Sequence, residues 1–314
     1  MTVRRAIIFG GSGFIGSHLT SELIDLGFEV HVADLAVPRI ENVKFHFCDV
    51  REPIEISENF DVAFNLAAIH RTPGHDPNEY FETNVSGALN ITNWCSLNKI
   101  HKLVFTSTIA VYGDLGQIAT EDSSLHPLSN YGRSKKIAEQ IHLNWYSHRP
   151  NENSLMIVRP AAIFGFGEGG NFTRMARFMR FGIFFVPTNS ANLKECGYVK
   201  DLTRLLVSFV NNKSNKVLLN FTFQETYSIR EICDTFSKVF QYPTVRTLRV
   251  NFLFKCLSIA PGRLGQIGLR AQKLNTHNLI SKNELISYGF EWKYSLESAV
   301  RDWSTSNHGN KSIQ

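Results

Sequence analysis

Residues 6–16 read AIIFGGSGFIG, a short apolar run that leads directly into a glycine-rich turn. A helical spacing of apolar residues continues over 14–26, so the turn joins a predicted strand to a predicted helix. Gly10, Gly13 and Gly16 let the chain turn tightly and let its backbone approach a pyrophosphate, which then lies at the helix N-terminus. The stretch therefore predicts the first unit of a dinucleotide-binding α/β fold.

A second predicted strand, 28–34, follows the helix and ends in Asp34, eighteen residues after Gly16. A carboxylate at this place can accept hydrogen bonds from both hydroxyls of an adenosine ribose, and it would repel a 2′-phosphate. The nearest basic residue after it is Arg39, which is not adjacent. The pattern favours NAD over NADP as the cofactor.

Further apolar runs alternate with helical patterns, which is typical of a parallel sheet covered on both faces. The predicted strands are 43–48, 61–68, 102–107 and 154–158, with a later one at 216–221. We predict a doubly wound (Rossmann) α/β fold with a smaller, interleaved C-terminal substrate lobe. The predicted NAD-binding domain covers 1–165 with a returning segment near 196–221, and the predicted substrate lobe covers 166–195 and 222–314.

Tyr131 and Lys135 lie four residues apart, on one face of a predicted helix. An ammonium held there favours a phenolate over a phenol, and so lowers the pKa of a tyrosine that is otherwise ~10. Thr108 follows the predicted strand 102–107 and could hydrogen-bond the same substrate oxygen. The spacing is also common by chance on the surface of an ordinary helix, and the dinucleotide pattern at the N-terminus is what favours a catalytic pair.

Composition excludes several other classes of function. The 314 residues are 43% apolar and 19% charged with a net charge of +5, which is typical of a soluble globular protein and too diffuse to indicate nucleic-acid binding. Five cysteines without a CxxC pair and eleven histidines without metal-ligand spacing predict neither disulfides nor a metal site. With no predicted signal peptide and no run of ~18 apolar residues, we expect a cytoplasmic protein.

Taken in order, these residues resemble the extended short-chain dehydrogenases/reductases of the NAD-dependent sugar epimerase/dehydratase family. The resembling segments are 10–16, Asp34, 49–50, 65–68, 84–87, 106–113, 131–135, 159–160, 198–201 and, more weakly, Trp303. One departure is Phe9, because the family usually has a threonine before the first glycine.

The resemblance implies a role for each of these residues. Tyr131 is the expected acid/base, Lys135 holds the nicotinamide ribose, and Thr108 hydrogen-bonds the reacting oxygen. The implied NAD contacts are Gly10, Gly13, Phe14, Ile15, Gly16, Asp34, Asp49, Val50, Leu66, Ala67, Ala68, Asn84, Thr106, Tyr131, Lys135, Pro160 and Ile163. A homodimer is the assembly that the family leads us to expect.

The residues after Thr108 narrow the expected reaction. They are Ile109 and Ala110, and neither side chain can move a proton. Relatives that eliminate water carry an Asp-Glu pair here and decarboxylating relatives carry a glutamate in this region, so both reactions are disfavoured. Epimerisation by transient oxidation at C4 of a sugar is preferred, and the alternative is an NAD(P)H-dependent 4-keto-6-deoxy nucleotide-sugar reductase, against which Asp34 argues. A non-catalytic NAD-binding regulator is disfavoured by the presence of Tyr131 and Lys135.

One subgroup of the family resembles the chain further, over 66–71, 144–146 and 163–165. Its members interconvert N-acetylglucosamine and N-acetylgalactosamine on a polyprenyl diphosphate, which implies a nucleotide- or polyprenyl-diphosphate sugar substrate and a place in surface polysaccharide (O-antigen) biosynthesis. The implied substrate contacts are His70, Arg71, Thr108, Asn171 and Lys194. Two runs that mix apolar bulk with a basic residue, 178–186 and 251–257, indicate weak peripheral contact with the inner face of a membrane.

Overall fold

A seven-stranded parallel sheet forms the centre of the fold in the computed structural model, which describes residues 3–71, 74–187, 192–248 and 279–308. Its strands are β1 (Arg5–Phe9), β2 (Glu29–Asp34), β3 (Lys44–Phe47), β4 (Val62–Asn65), β5 (Lys102–Thr106), β6 (Ser154–Pro160) and β11 (Lys216–Phe221). Their spatial order is β11-β6-β5-β4-β1-β2-β3, so the strand order reverses between β1 and β4. In a sheet of this kind the ligand crevice lies at that point, outside the carboxyl ends of the strands.

Helices cover both faces of this sheet. They are α1 (Phe14–Asp25), α2 (Pro77–Phe81), α3 (Gly87–Leu97), α4 (Asn130–His148) and α6 (Val199–Ser208). Successive side chains of a strand point to opposite faces, so Ala6 and Ile8 of β1 belong to the core under α1 and α6, whereas Ile7 and Phe9 belong to the core under α3 and α4. The predicted doubly wound α/β fold is confirmed.

A third apolar core lies outside the sheet and consists largely of aromatic side chains, among them Phe164, Phe172, Phe236 and Trp303. The remaining elements are β7 (Ala162–Phe164), α5 (Asn171–Arg180), β8 (Phe185–Pro187), β9 (Leu193–Lys194), β10 (Cys196–Tyr198), β12 (Tyr227–Ser228), α7 (Ile229–Phe240), β13 (Arg246–Leu248), α8 (Asn283–Ser287) and α9 (Leu296–His308). The short strands among them form three pairs, β7 with β10, β8 with β13 and β9 with β12. The chain enters this part before α6 and again after β11.

The sequence also led to two expectations about membranes. The run 251–257, predicted to contact a membrane, lies outside the described residues. Within the described ranges, no helix combines the length and the apolar character that a membrane crossing needs.

Candidate active site

The glycine turn at the end of β1 has no room for side chains. Gly10 has a φ of +80°, and a Cβ there would lie 2.6 Å from the amide nitrogen of Ala67. A Cβ on Gly16 would lie 2.3 Å from the carbonyl oxygen of Gly10. Gly13, which precedes α1, supplies no side-chain cap, and the first turn of α1 has no acidic side chain. The first amides of this helix are therefore left for an anion such as a pyrophosphate.

The carboxylate of Asp34 lies at the edge of this turn. Its Oδ2 accepts a hydrogen bond from the Ser12 amide at 3.0 Å, and its Oδ1 accepts one from the Ala36 amide at 3.2 Å. Asp49, which follows β3, is instead chelated by Arg51, and hydrogen bonds from this guanidinium lower the pKa of the Asp49 carboxyl. The position of Asp34 suits a ribose, whereas Asp49 already has a charged partner within the chain.

A π-helical turn over Glu82–Ser86 directs the side chain of Asn84 inward, where the residue is 3% exposed. Its Oδ1 accepts a hydrogen bond from the Ile69 amide at 2.9 Å. Its Nδ2 donates to the Ile69 carbonyl at 3.0 Å and to Ser134 Oγ at 2.8 Å. These bonds tie the loop after β4 to α4, and the cofactor contact expected of Asn84 stays a prediction.

Thr108, Tyr131 and Lys135 meet where β5 ends and α4 begins. Ser129 caps α4 with its hydroxyl and so fixes the first turn. The hydroxyl of Tyr131 is hydrogen-bonded to the Thr108 side chain, and Lys135 follows one turn later with 2% exposure. The Lys135 Nζ lies 4.3 Å from the centre of the Phe105 ring. The structure therefore places the three residues expected to do chemistry in one small region.

Burial controls the charges of this group. It raises the pKa of Tyr131 to about 12, against the effect of the hydrogen bond from Thr108, and it lowers the pKa of Lys135 to about 7. The sequence predicted that Lys135 lowers the pKa of Tyr131. This prediction is wrong for the protein without a bound cofactor, because the pKa is raised. The physical reason is that loss of water penalises the charged form of each side chain, and the Thr108 hydrogen bond on Tyr131 and the Glu139 charge on Lys135 oppose this penalty with smaller effects.

Glu139 lies one further turn along α4 and was missed by the sequence analysis. Its carboxylate is buried, raises the pKa of Lys135 by its charge, and accepts two hydrogen bonds from Arg159 at 2.9 and 2.7 Å. Arg159 also donates to the Tyr112 hydroxyl at 2.9 Å, and that hydroxyl donates to Asn220 of β11 at 2.7 Å. The spacing of Lys135 and Glu139, four residues apart on one helix face, is the signal that could have found this residue.

Two buried polar atoms near these residues have no hydrogen-bond partner in the part of the chain that the structure describes. They are Asn65 Oδ1, at the end of β4, and Ser107 Oγ, directly after β5. A buried polar atom without a partner is costly, so such atoms beside a ligand crevice fit a bound molecule that supplies the missing bond. Of the other expected NAD contacts, Phe14 and Ile15 begin α1. The rest lie on β7 or at or beyond the carboxyl ends of β3, β4, β5 and β6: Val50, Leu66, Ala67, Ala68, Thr106, Pro160 and Ile163.

Two residues expected to contact substrate, His70 and Arg71, follow β4. Loss of water lowers the pKa of His70, and the charges of Arg71 and Lys135 lower it further. The Arg71 guanidinium lies close to Gly169, where a Cβ would come within 3.5 Å of it. Arg71 therefore reaches the loop that precedes α5.

The other two expected substrate contacts belong to small elements beyond that loop. Asn171 begins α5, and its Oδ1 accepts a hydrogen bond from Arg174 at 2.8 Å. Lys194 lies on β9, where burial lowers its pKa to about 8. Lys194 therefore keeps much of its positive charge near neutral pH.

Comparisons with known proteins identify relatives of the chain. It is 29% identical over 225 residues to an N-acetyl-alpha-D-glucosaminyl-diphospho-ditrans,octacis-undecaprenol 4-epimerase of Escherichia coli O157:H7, over 68% of this chain and 64% of that protein. It is 34% identical over 182 residues to UDP-glucose 4-epimerase 4 of Oryza sativa subsp. japonica, over 50% of this chain and 49% of that protein. The alignments thus span between half and two thirds of these two relatives.

A solved structure shares the whole fold. The UDP-glucose 4-epimerase of Thermotoga maritima with UDP-glucose superposes with a TM-score of 0.80 at 19% identity, over 98% of this chain and 99% of that one. The family model for the NAD dependent epimerase/dehydratase family matches residues 6–220. The glycine turn, Asp34 and the partnerless polar atoms fit NAD, the cofactor that gives this family its name. The chain therefore belongs to the NAD-dependent epimerase/dehydratase family, as its resemblance to that family predicted.

Proposed function

We propose that this protein is an NAD-dependent 4-epimerase of an N-acetylhexosamine that is linked through a diphosphate to a nucleotide or a polyprenol. The main support is the meeting of Thr108, Tyr131 and Lys135 at the same edge of the sheet as the glycine turn. This group can move one proton to and from one carbinol oxygen. The residues that follow, Ile109 and Ala110, offer no second acid or base for elimination or decarboxylation. The names of both relatives describe 4-epimerases.

Each side chain then has a defined task. Bound NAD supplies the acceptor that takes and returns the hydride at C4. The proton of the C4 hydroxyl passes to Tyr131, which must be a phenolate to take it, and returns from the phenol when the carbon is reduced from its other face. Burial opposes the phenolate, so the positive charges of protonated Lys135 and of the oxidised nicotinamide ring are needed to favour it.

Thr108 is oriented for the second hydrogen bond. Its Oγ1 accepts a hydrogen bond from the Ala110 amide at 3.2 Å. Its own proton is therefore available to the tyrosine oxygen or to the reacting oxygen of the sugar.

The carrier of the sugar is proposed from the charges on the chain and from the relatives. Arg71 and Lys194 are cations that suit a diphosphate, which nucleotide and polyprenyl carriers share. The bacterial relative is named for an undecaprenol carrier and the plant relative for UDP. A polyprenyl carrier would place the reaction in surface polysaccharide biosynthesis.

The test is incubation of purified protein with UDP-N-acetylglucosamine and, separately, with N-acetylglucosaminyl-diphospho-polyprenol, followed by separation of the sugars released by acid. We expect N-acetylgalactosamine from one of the two without added NADH, and none from a Tyr131→Phe control. If neither donor gives the epimer and a 4-keto sugar consumes NAD(P)H in equal amount, the protein is the reductase.

We also propose peripheral contact with an anionic membrane, which a polyprenyl substrate would require. Phe178, Phe181 and Ile183, on and just after α5, are 47%, 67% and 54% exposed. Arg174 and Arg177 on the same helix are exposed as well. Large apolar side chains beside cations are the combination that holds a segment at a lipid interface.

Sedimentation with phosphatidylglycerol vesicles at low salt tests this contact. We expect the protein to pellet, and the double variant Phe178→Ser/Phe181→Ser to stay in the supernatant. Leu97→Ser, which removes a side chain that is 83% exposed at the end of α3, is the matched control and should still pellet. Wild-type protein that stays in the supernatant contradicts the contact. The homodimer remains a prediction, which light scattering checks.

A further inference from the structure

Two histidines and a glutamate meet at the β3 edge of the sheet. His31 is on β2, His46 is on β3, and Glu58 is on the segment that leads into β4. Within the described residues, they form the group whose histidine, cysteine or acidic ligand atoms all lie within 4.8 Å of one another. His31 is 0% exposed, so the group is anchored inside the protein.

A single small metal ion can reach all three ligand atoms at once. His31 Nδ1 and His46 Nε2 are 2.8 Å apart, and Glu58 Oε1 lies 3.7 Å from each of them. A point equidistant from all three atoms, in their plane, lies about 2.0 Å from each, which is the zinc–nitrogen and zinc–oxygen distance in proteins. The distance of 3.7 Å is too long for a hydrogen bond, so Glu58 Oε1 is not held by either ring.

The partners of these ligands also match a metal site. The other ring nitrogen of His31, Nε2, lies 3.1 Å from Glu29 Oε1, and the other carboxylate oxygen of Glu58, Oε2, accepts from Arg5 at 2.5 Å. Histidines that bind metals usually donate their second N–H to a carboxylate, and ligating carboxylates are themselves hydrogen-bonded. The Lys44 Nζ lies 2.8 Å from Glu29 Oε1. Together with Arg5, it offsets the negative charges of the Glu29 and Glu58 carboxylates.

We propose that His31, His46 and Glu58 bind a divalent transition-metal ion of the zinc class. Two imidazoles and one carboxylate favour such an ion over magnesium or calcium, which take oxygen ligands. The ion takes the place of the proton that lies between the two imidazoles, and that proton moves to the ring nitrogen that faces away from the ion, so each ring binds as a neutral imidazole. It joins β2, β3 and the segment before β4. His31 precedes Asp34 by three residues, about 10 Å along the strand, so the ion stiffens the strand that carries the ribose-binding carboxylate. This proposal revises the expectation of no metal site.

Calorimetric titration of tag-free, chelator-treated protein with ZnCl₂ tests the proposal, with MgCl₂ as the comparison ion. We expect one zinc ion per chain, no magnesium binding, and a higher melting temperature with zinc. His46→Ala should weaken zinc binding by about 100-fold or more, and Glu29→Gln, which keeps all three ligands, by about 10–100-fold. His75→Ala is the matched control, because His75 also pairs with a glutamate, Glu79, at 2.8 Å on the surface, and it should bind as the wild type does.

The variants are first checked for retained near-UV circular dichroism, so that a loss of binding is not a loss of fold. If His46→Ala does not fold, Glu29→Gln decides the outcome. Absence of zinc binding by the wild-type protein overturns the proposal. The proposal is also overturned if a folded His46→Ala or Glu29→Gln variant binds zinc as tightly as the wild-type protein does.

Discussion

Replacing Lys135 by methionine should stabilise the fold while it removes turnover. Lys135 is 2% exposed, and burial lowers its pKa from 10.5 to about 7. One pKa unit corresponds to about 1.4 kcal/mol, so the ammonium costs the folded state about 4–5 kcal/mol near pH 7. Methionine has a similar length and no charge, but the contact of the ammonium with the Phe105 ring is lost. We therefore expect a net gain of about 3 kcal/mol in unfolding free energy at pH 7.

The pH dependence separates this cause from better packing. Between pH 7 and 10.5 the unfolded chain binds the lysine proton and the folded chain does not, so the unfolding free energy of the wild type rises with pH. The advantage of Lys135→Met should be largest at and below pH 7. It should fall by about 1.4 kcal/mol per pH unit above pH 7 and vanish between about pH 9 and pH 10.

Urea unfolding followed by circular dichroism, repeated from pH 6 to pH 9, measures the difference. Lys213→Met is the matched control, because Lys213 is exposed in the loop before β11 and its ammonium stays in water in both states. If Lys135→Met is less stable than wild type at pH 7, or if its advantage does not change with pH, the lysine is not a buried and destabilising ammonium.

Three further substitutions test other contacts of the crevice. Tyr131→Phe should lower turnover by a factor of about 10² to 10⁴ while NAD still co-purifies, as measured by chromatography of the released nucleotide. Arg159→Met leaves the buried Glu139 carboxylate without its guanidinium and should cost about 3–5 kcal/mol of unfolding free energy, seen as a lower urea midpoint. Gly16→Ala puts a methyl group 2.3 Å from the Gly10 carbonyl oxygen and should abolish NAD retention, measured by the same chromatography. An active Tyr131→Phe, a fully stable Arg159→Met or a Gly16→Ala that retains NAD would contradict the role given to that residue.

Most of the sheet could be predicted from the sequence, because each strand coincides with a run of largely apolar residues that are neighbours in the chain. The returning strand was predicted at 216–221 and β11 runs over Lys216–Phe221. The run 28–34 became β2, Glu29–Asp34, and its terminal carboxylate lies at the glycine turn as expected. Apolar continuity and glycine spacing are local properties, so a chain met for the first time already displays them.

The contacts beneath the site could not be predicted in the same way. Glu139 meets Arg159 across the packing of α4 on β6, and Tyr112 links that pair to β11. A π-helical turn also directs the amide of Asn84 to Ile69. These partners are distant in sequence, and no spacing rule connects them.

The sequence by itself determined the order of the strands and helices, the glycine turn, and the spacing that sets Tyr131 and Lys135 on one helix face. Only the tertiary structure decided the charges of that pair, since burial raises one pKa and lowers the other against the attraction that spacing alone predicts. It also assembled His31, His46 and Glu58 from three separate segments. The reason is physical: local conformation depends on near neighbours, whereas the loss of water around a charge depends on everything that packs against it.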